Sequence, residues 1–165
     1  MSKERKSINK VAIVLGIIAI ISFALFLLFD VSYVNGIYDT GIKGFNSIFG
    51  ISQTISGTGG KFSLKFTTVN GIGITLLLLF LLSTILSGWF SNYGKGYYIA
   101  AIIVDLIIVI LTFTYCSSWV KLNISSSKVL NNLNVGFGQI TSGVLMCIHL
   151  IGCGVGYKLA GTNKR

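Results

Sequence analysis

The chain of 165 residues contains no proline. Transporters often interrupt their spanning helices with glycine or proline, and proline offers no such interruption here. Acids are almost missing as well: Glu4, Asp30, Asp39 and Asp105 are all there are. No two of them have a spacing that suggests paired-carboxylate acid–base chemistry. The chain has one histidine, His149, and three cysteines, Cys116, Cys147 and Cys153. These match no metal-ligand spacing, and an odd count with two members in an apolar run implies no disulfide framework. The cysteines read as small apolar packing residues. Gly71-x-Gly73 opens a helix but lacks the rest of a dinucleotide fingerprint, and no nucleophile motif or phosphate loop is present. The chain is therefore read as a non-enzyme, with no cofactor and no metal expected.

Charged residues of either sign are also scarce, at 10% against 53% hydrophobic, where ordinary soluble domains carry about 25% charged residues. Too little polar surface exists to cover a water-facing exterior, so the expected surroundings are a lipid bilayer. The net charge of +9 would suit nucleic acid, but its placement does not. Lys3, Arg5, Lys6 and Lys10 precede the first apolar run, and Lys158, Lys164 and Arg165 follow the last. Basic residues in those places flank membrane spans and meet anionic headgroups. No basic groove with interleaved aromatics appears, so nucleic acid is not an expected partner.

What the chain does have is four long apolar runs. The most telling is residues 97–115, YYIAAIIVDLIIVILTFTY, whose one charge is Asp105. About 20 helical residues at 1.5 Å each cross a hydrocarbon core of roughly 30 Å. The runs predict an all-α membrane protein, a bundle of four transmembrane helices at 11–29, 69–90, 97–115 and 135–159. Residues 1–10 form a basic tail, 91–96 a tight inner turn and 160–165 a second short tail. The first run follows a basic start, as a signal peptide does, but its 19 residues exceed the usual core of about 7–15 and no small-residue cleavage site follows. It reads as a retained helix.

Two longer polar segments remain, residues 30–68 and 116–134. In the first, Ile42, Phe45 and Phe49 recur at helical spacing, which predicts a short amphipathic helix at the membrane surface. Phe62, Leu64 and Phe66 alternate with polar residues after the Gly57-Thr58-Gly59-Gly60 turn, which predicts a β-hairpin. An isolated hairpin is marginal in water, so those three apolar residues are expected to rest on another surface, and they are the candidate contact residues of the loop. The second segment reads as a polar loop with Trp119 as an interfacial anchor. Its Asn123-Ile124-Ser125 matches a glycosylation acceptor but is read as accidental in a segment this rich in Asn and Ser.

Lysine and arginine placement orients the chain. With the amino terminus in the cytoplasm, eight basic residues lie inside and five outside, the five spread over the two longer loops. Both termini are then cytoplasmic and the hairpin faces outward. The Ile, Lys and Asn bias is read as an AT-rich, bacterial coding sequence. The layout is similar in outline to claudin-like tetraspan proteins: both ends inside, a larger first outer loop with β character, a smaller second one. That family's signature places tryptophans and a cysteine pair in the first loop, and residues 30–68 contain neither.

A carboxylate at membrane depth costs about 2.5–3.5 kcal/mol on insertion scales and faces other helices or a wet cavity. Asp105 lies eight residues into its helix, roughly 12 Å by helical rise. His149, on the antiparallel last helix, lies at a similar depth, as do Ser83 and Thr84. These four form the candidate intramembrane polar cluster. One reading is mutual satisfaction that fixes helix pairing; the other is a proton-relay or cation site, since histidine changes charge near neutrality. Along the last helix, Gly138 with Ser142 and Gly152 with Gly156 place small residues four apart, which lets helix backbones approach closely in lipid. That packing is expected within the bundle, or between copies in a homo-oligomer. The functional expectation is an accessory, scaffold or protective subunit of a larger membrane complex, with an oligomeric channel or small-solute transporter as the alternative.

Overall fold

A computed structural model describes residues 3–34, 40–50, 52–57, 60–65, 70–115, 122–124, 128–130 and 134–162. In chain order the elements are α1 (Lys3–Leu28), β1 (Asp30–Val34), β2 (Thr40–Lys43), α2 (Gly44–Phe49), β3 (Ser52–Gly57), β4 (Gly60–Lys65) and α3 (Gly71–Gly88). After a 3-10 turn at Phe90–Asn92 come α4 (Gly96–Thr114), β5 (Leu122–Ile124), β6 (Lys128–Leu130), β7 (Asn134–Val135) and α5 (Phe137–Thr162).

Among the described residues, four helices are long and apolar enough to cross a membrane: Lys10–Leu28 of α1, all of α3, all of α4, and Phe137–Ala160 of α5. α1 starts earlier than the apolar run because Lys, Glu and Arg are good helix formers and nothing breaks the helix before Lys10. α3 starts at Gly71 because the Asn70 side chain caps it, accepting from the backbone N–H of Ile72 at 3.1 Å and Gly73 at 3.2 Å.

The outer faces differ from those of a water-soluble bundle. Ile17, Leu78, Ile110 and Ile151, one from each long helix, are half or more exposed, whereas Ser22, Ser83, Ser87, Asp105, Thr112, Ser142 and His149 are buried. Apolar side chains on the outer faces, with polar ones enclosed beside the apolar core, suit a surrounding that cannot hydrogen-bond.

The helices form a ring in which α1 packs on α3, α3 on α4, α4 on α5 and α5 back on α1. Small residues set the close approaches. A Cβ added to Gly88 would lie 3.3 Å from the Gly16 Cα, so α1 and α3 cross almost backbone to backbone. On α5 the small residues receive two different neighbours. A Cβ on Gly138 would meet the Leu25 carbonyl oxygen at 2.9 Å, and one on Gly152 would meet the tip of Leu15, both on α1. Ser142 adds a hydrogen bond there: the Ser22 hydroxyl donates to its carbonyl at 2.9 Å. Gly156 instead faces the Tyr98 ring of α4, and Gly143 faces the Phe113 ring. The small-residue face of α5 is thus filled from within the chain.

Two apolar cores occupy the interior. One lies toward the strand-bearing end and contains Phe26, Ile48, Leu76, Phe80, Ile108 and Tyr115. The other lies toward the chain termini and contains Leu15, Tyr98, Ala101 and Cys153. At the strand end Tyr115 ties elements together. Its hydroxyl lies 3.2 Å from the Ser47 hydroxyl of α2 and accepts from Asn70 Nδ2 at 3.3 Å, and its ring meets Phe26 edge-on.

β1 pairs antiparallel with β2 and with β7, which anchors the start of α5; the Gly136 N–H donates to the Val31 carbonyl at 2.8 Å. β3 and β4 form the expected antiparallel hairpin. It continues through β5 to β6, giving the order β3-β4-β5-β6. Residues 116–134, read from sequence as a polar loop, therefore supply three strands. Their runs are only two or three residues long, too short for alternation to register, and they become strands by pairing: β5 on the β4 edge, β6 on β5, and β7 on β1. Asn123 sits inside this sheet, paired with Lys65. The amphipathic helix is smaller than its spacing implied. Ile42 is buried in β2, paired with Ser32, and only α2 is helical. Phe45 and Phe49 are its exposed aromatics, with ring centroids 4.8 Å apart. Cys116 and Trp119 lie outside the described residues.

Candidate functional site

Where the two apolar cores meet lies a polar layer. Three helices build it. α3 contributes Ser83 and Ser87, four apart and so on one face. α4 contributes Asp105, and α5 contributes His149 and Cys153, again four apart. All five side chains are fully buried.

Asp105 is held from three directions. The Ser83 hydroxyl donates to Oδ1 at 2.5 Å, His149 Nδ1 lies 2.7 Å from Oδ2, and the Cys153 thiol points to the same oxygen at 3.7 Å. His149 reaches across the bundle with its other nitrogen: Nε2 lies 3.0 Å from the Ser87 hydroxyl oxygen. Hydrogen accounting fixes the roles. Ser87 has one hydroxyl proton and donates it to the Ser83 carbonyl at 2.8 Å. Its oxygen therefore accepts from Nε2. Nε2 therefore carries a proton, and the Nδ1–Oδ2 contact at 2.7 Å shares one more. With that proton on Nδ1 the two charges cancel, and with it on Oδ2 both groups are neutral, so the layer is neutral as a unit either way. Below Ser87, the Ser91 hydroxyl continues the series by donating to the Ser87 carbonyl.

Of the residues expected in this cluster, Asp105, His149 and Ser83 come together. Thr84 does not join them: its hydroxyl donates to the Phe80 carbonyl of its own helix at 2.8 Å. One residue on from Ser83, it is turned about 100° around the helix axis. Ser87 and Cys153 were not in the expected set. The signal for both was in the chain, as Ser83-x3-Ser87-x3-Ser91 and His149-x3-Cys153, two helical stripes at the level of Asp105.

The four small residues Gly138, Ser142, Gly152 and Gly156 are spent on α1 and α4, as described above. Of the expected contact residues of the first loop, Phe62 and Leu64 lie on β4, where they pair with Ile55 and Gln53 of β3; Leu64 also pairs with Ile124 of β5. Phe66 lies outside the described residues. No family model matches the chain, and neither a curated protein nor a solved structure matches it.

Chemically, the layer is a closed set of mutually satisfied groups. Phe80, Ile108 and Met146 lie on its strand side, and Leu15, Tyr98 and Ala101 on the other; all are buried. A carboxylate between such layers is stable only while its partners stay in place, because an unpaired charge there has no water to turn to.

Proposed function

We propose that this chain is a multi-pass protein of the cell membrane, both termini in the cytoplasm, that works without catalysis as an accessory, scaffold or protective subunit. It would engage a larger membrane complex, or further copies of itself, through its lipid-facing helix faces and its strand-bearing outer loops. One observation carries this reading: Asp105 and His149 are fully buried between two apolar layers, with each polar atom of the pair bonded inside the chain. An ion-conducting site needs an exchangeable partner and an approach from each side; here the partners are the chain's own serines. The linked loops support the same reading. β4 and β5 join residues from both loops into one sheet, and such an outer platform suits contact more than passage.

The test is a pair of measurements. Purified protein in liposomes is expected to pass protons and alkali cations no faster than empty vesicles. In native membranes, a photo-crosslinking amino acid at position 54 on β3 is expected to give adducts of discrete mass. Flux that Asp105→Asn or His149→Ala abolishes would overturn the proposal in favour of a channel or transporter. An absence of discrete adducts from β3, β5 and the exposed helix faces would overturn it as an interaction protein.

A further inference from the structure

The polar layer has an asymmetry that helix pairing alone does not require. Asp105 Oδ2, His149 Nδ1 and Cys153 Sγ point at one another, mutually within 4.8 Å. The remaining polar atoms of the aspartate and the histidine point away and are each held by a serine of α3: Ser83 on Oδ1, Ser87 on Nε2. Three donor atoms converge and an outer set orients them. In metal centres, a ligating histidine likewise gives its second ring N–H to a fixed acceptor, which sets the tautomer and the ring plane.

We propose that Asp105, His149 and Cys153 form a buried binding site for one zinc-class divalent cation, with Ser83 and Ser87 as its positioning residues. The distances suit such an ion. Bonds of about 2.3 Å to sulfur and about 2.0–2.2 Å to nitrogen and oxygen, arranged tetrahedrally, separate sulfur from either lighter ligand by about 3.5 Å and nitrogen from oxygen by about 3.3 Å. Sγ lies 3.7 Å from Oδ2 and 3.8 Å from Nδ1. The Nδ1–Oδ2 pair, at 2.7 Å, opens by about 0.6 Å to admit the ion. A thiolate, an imidazole and one carboxylate favour zinc over magnesium or calcium, which take oxygen sets.

Charge balances on both sides of the binding step. Without metal, the aspartate–histidine pair is neutral overall and so is the thiol. A divalent ion displaces the proton shared between Nδ1 and Oδ2 and the one on Sγ, and its two positive charges are met by the carboxylate and the thiolate. Two protons leave, and the layer stays neutral at membrane depth. The site does not depend on the interaction reading: the cluster clamps three helices without metal, and a bound ion staples α4 to α5.

The experiment uses the full chain in detergent, without a histidine tag, first stripped with chelator and then titrated with Zn2+ and separately with Co2+. One equivalent of Zn2+ per chain is expected, and Co2+ is expected to give an intense thiolate-to-metal absorption band. Both should survive in the Cys116→Ser/Cys147→Ser double variant, which leaves Cys153 as the sole thiol. Cys153→Ser should lose the band. Ser87→Ala should keep it with about 10- to 100-fold weaker binding. Thermal unfolding in chelator is compared for every variant, so that a lost site is distinguished from a lost fold. Co2+ without a thiolate band in the double variant would overturn the proposal, and so would equal Zn2+ retention by a folded Cys153→Ser protein.

Discussion

Replacing one member of the ion pair should damage the bundle far more than replacing both. In His149→Leu the Asp105 carboxylate loses its counter-charge at 2.7 Å and keeps only the Ser83 hydroxyl and the Cys153 thiol. In Asp105→Leu the imidazole keeps Ser87 and the Cys153 sulfur at 3.8 Å. Removing one partner of a buried pair costs about 3–5 kcal/mol in water-soluble interiors. In lipid the unfolded chain also finds partners, and single interhelical hydrogen bonds average about 0.6 kcal/mol. Taking the lower side of the first range, each single variant should lose about 2–4 kcal/mol, since the effect is one of stranded charge and not of one neutral bond. At about 1.4 kcal/mol per factor of ten, the folded-to-unfolded ratio falls about 30- to 700-fold. The Asp105→Leu/His149→Leu variant replaces the pair by apolar side chains and should unfold within about 1 kcal/mol of the parent. The assay is reversible unfolding in mixed micelles, in chelator so that no metal contributes. Losses that simply add, leaving the double variant worse than either single one, would refute the ion pair as the clamp.

Three further outcomes follow from the packing. Gly88→Ile should destabilise the bundle by about 1–3 kcal/mol, because α1 and α3 meet there at their backbones, whereas Gly154→Ala, with no neighbouring atom within 4 Å of an added Cβ, should change stability little; thermal unfolding in detergent reads both. Gly138→Ala should be worse than Gly152→Ala, since an added Cβ meets the fixed Leu25 carbonyl in the first and only the flexible end of Leu15 in the second. Asn70→Ala should cost about 1 kcal/mol through the lost cap of α3, and hydrogen exchange should rise first at the amide groups of Ile72 and Gly73.

The helices are readable because run length and charge scarcity alone mark a segment long and apolar enough to cross a membrane. Depth was readable too. A rise of 1.5 Å per residue puts Asp105, His149 and Ser83 at one level once the helices alternate in direction. Depth does not give direction around the helix, so it groups Thr84 with Ser83 and does not single out Ser87. The neighbours of each small residue were not legible either. Gly152 and Gly156 share one motif but face α1 and α4 respectively, and the Gly16–Gly88 approach joins positions that carry no motif. In residues 116–134 the strands exist through pairing with β4 and β1, a tertiary effect that runs of two or three residues cannot announce.

The central claim is an inside-out bundle: apolar faces on lipid, polar groups enclosed. The most direct measurement places a single tryptophan at Ile151, near the middle of α5 and 66% exposed, in a Trp89→Phe/Trp119→Phe background, reconstituted in bilayers with acyl chains brominated near their ends. Strong quenching of that tryptophan by the bromines, and none by iodide in the buffer, is expected. Quenching by iodide with none by the brominated chains would place this face in water and contradict the claim.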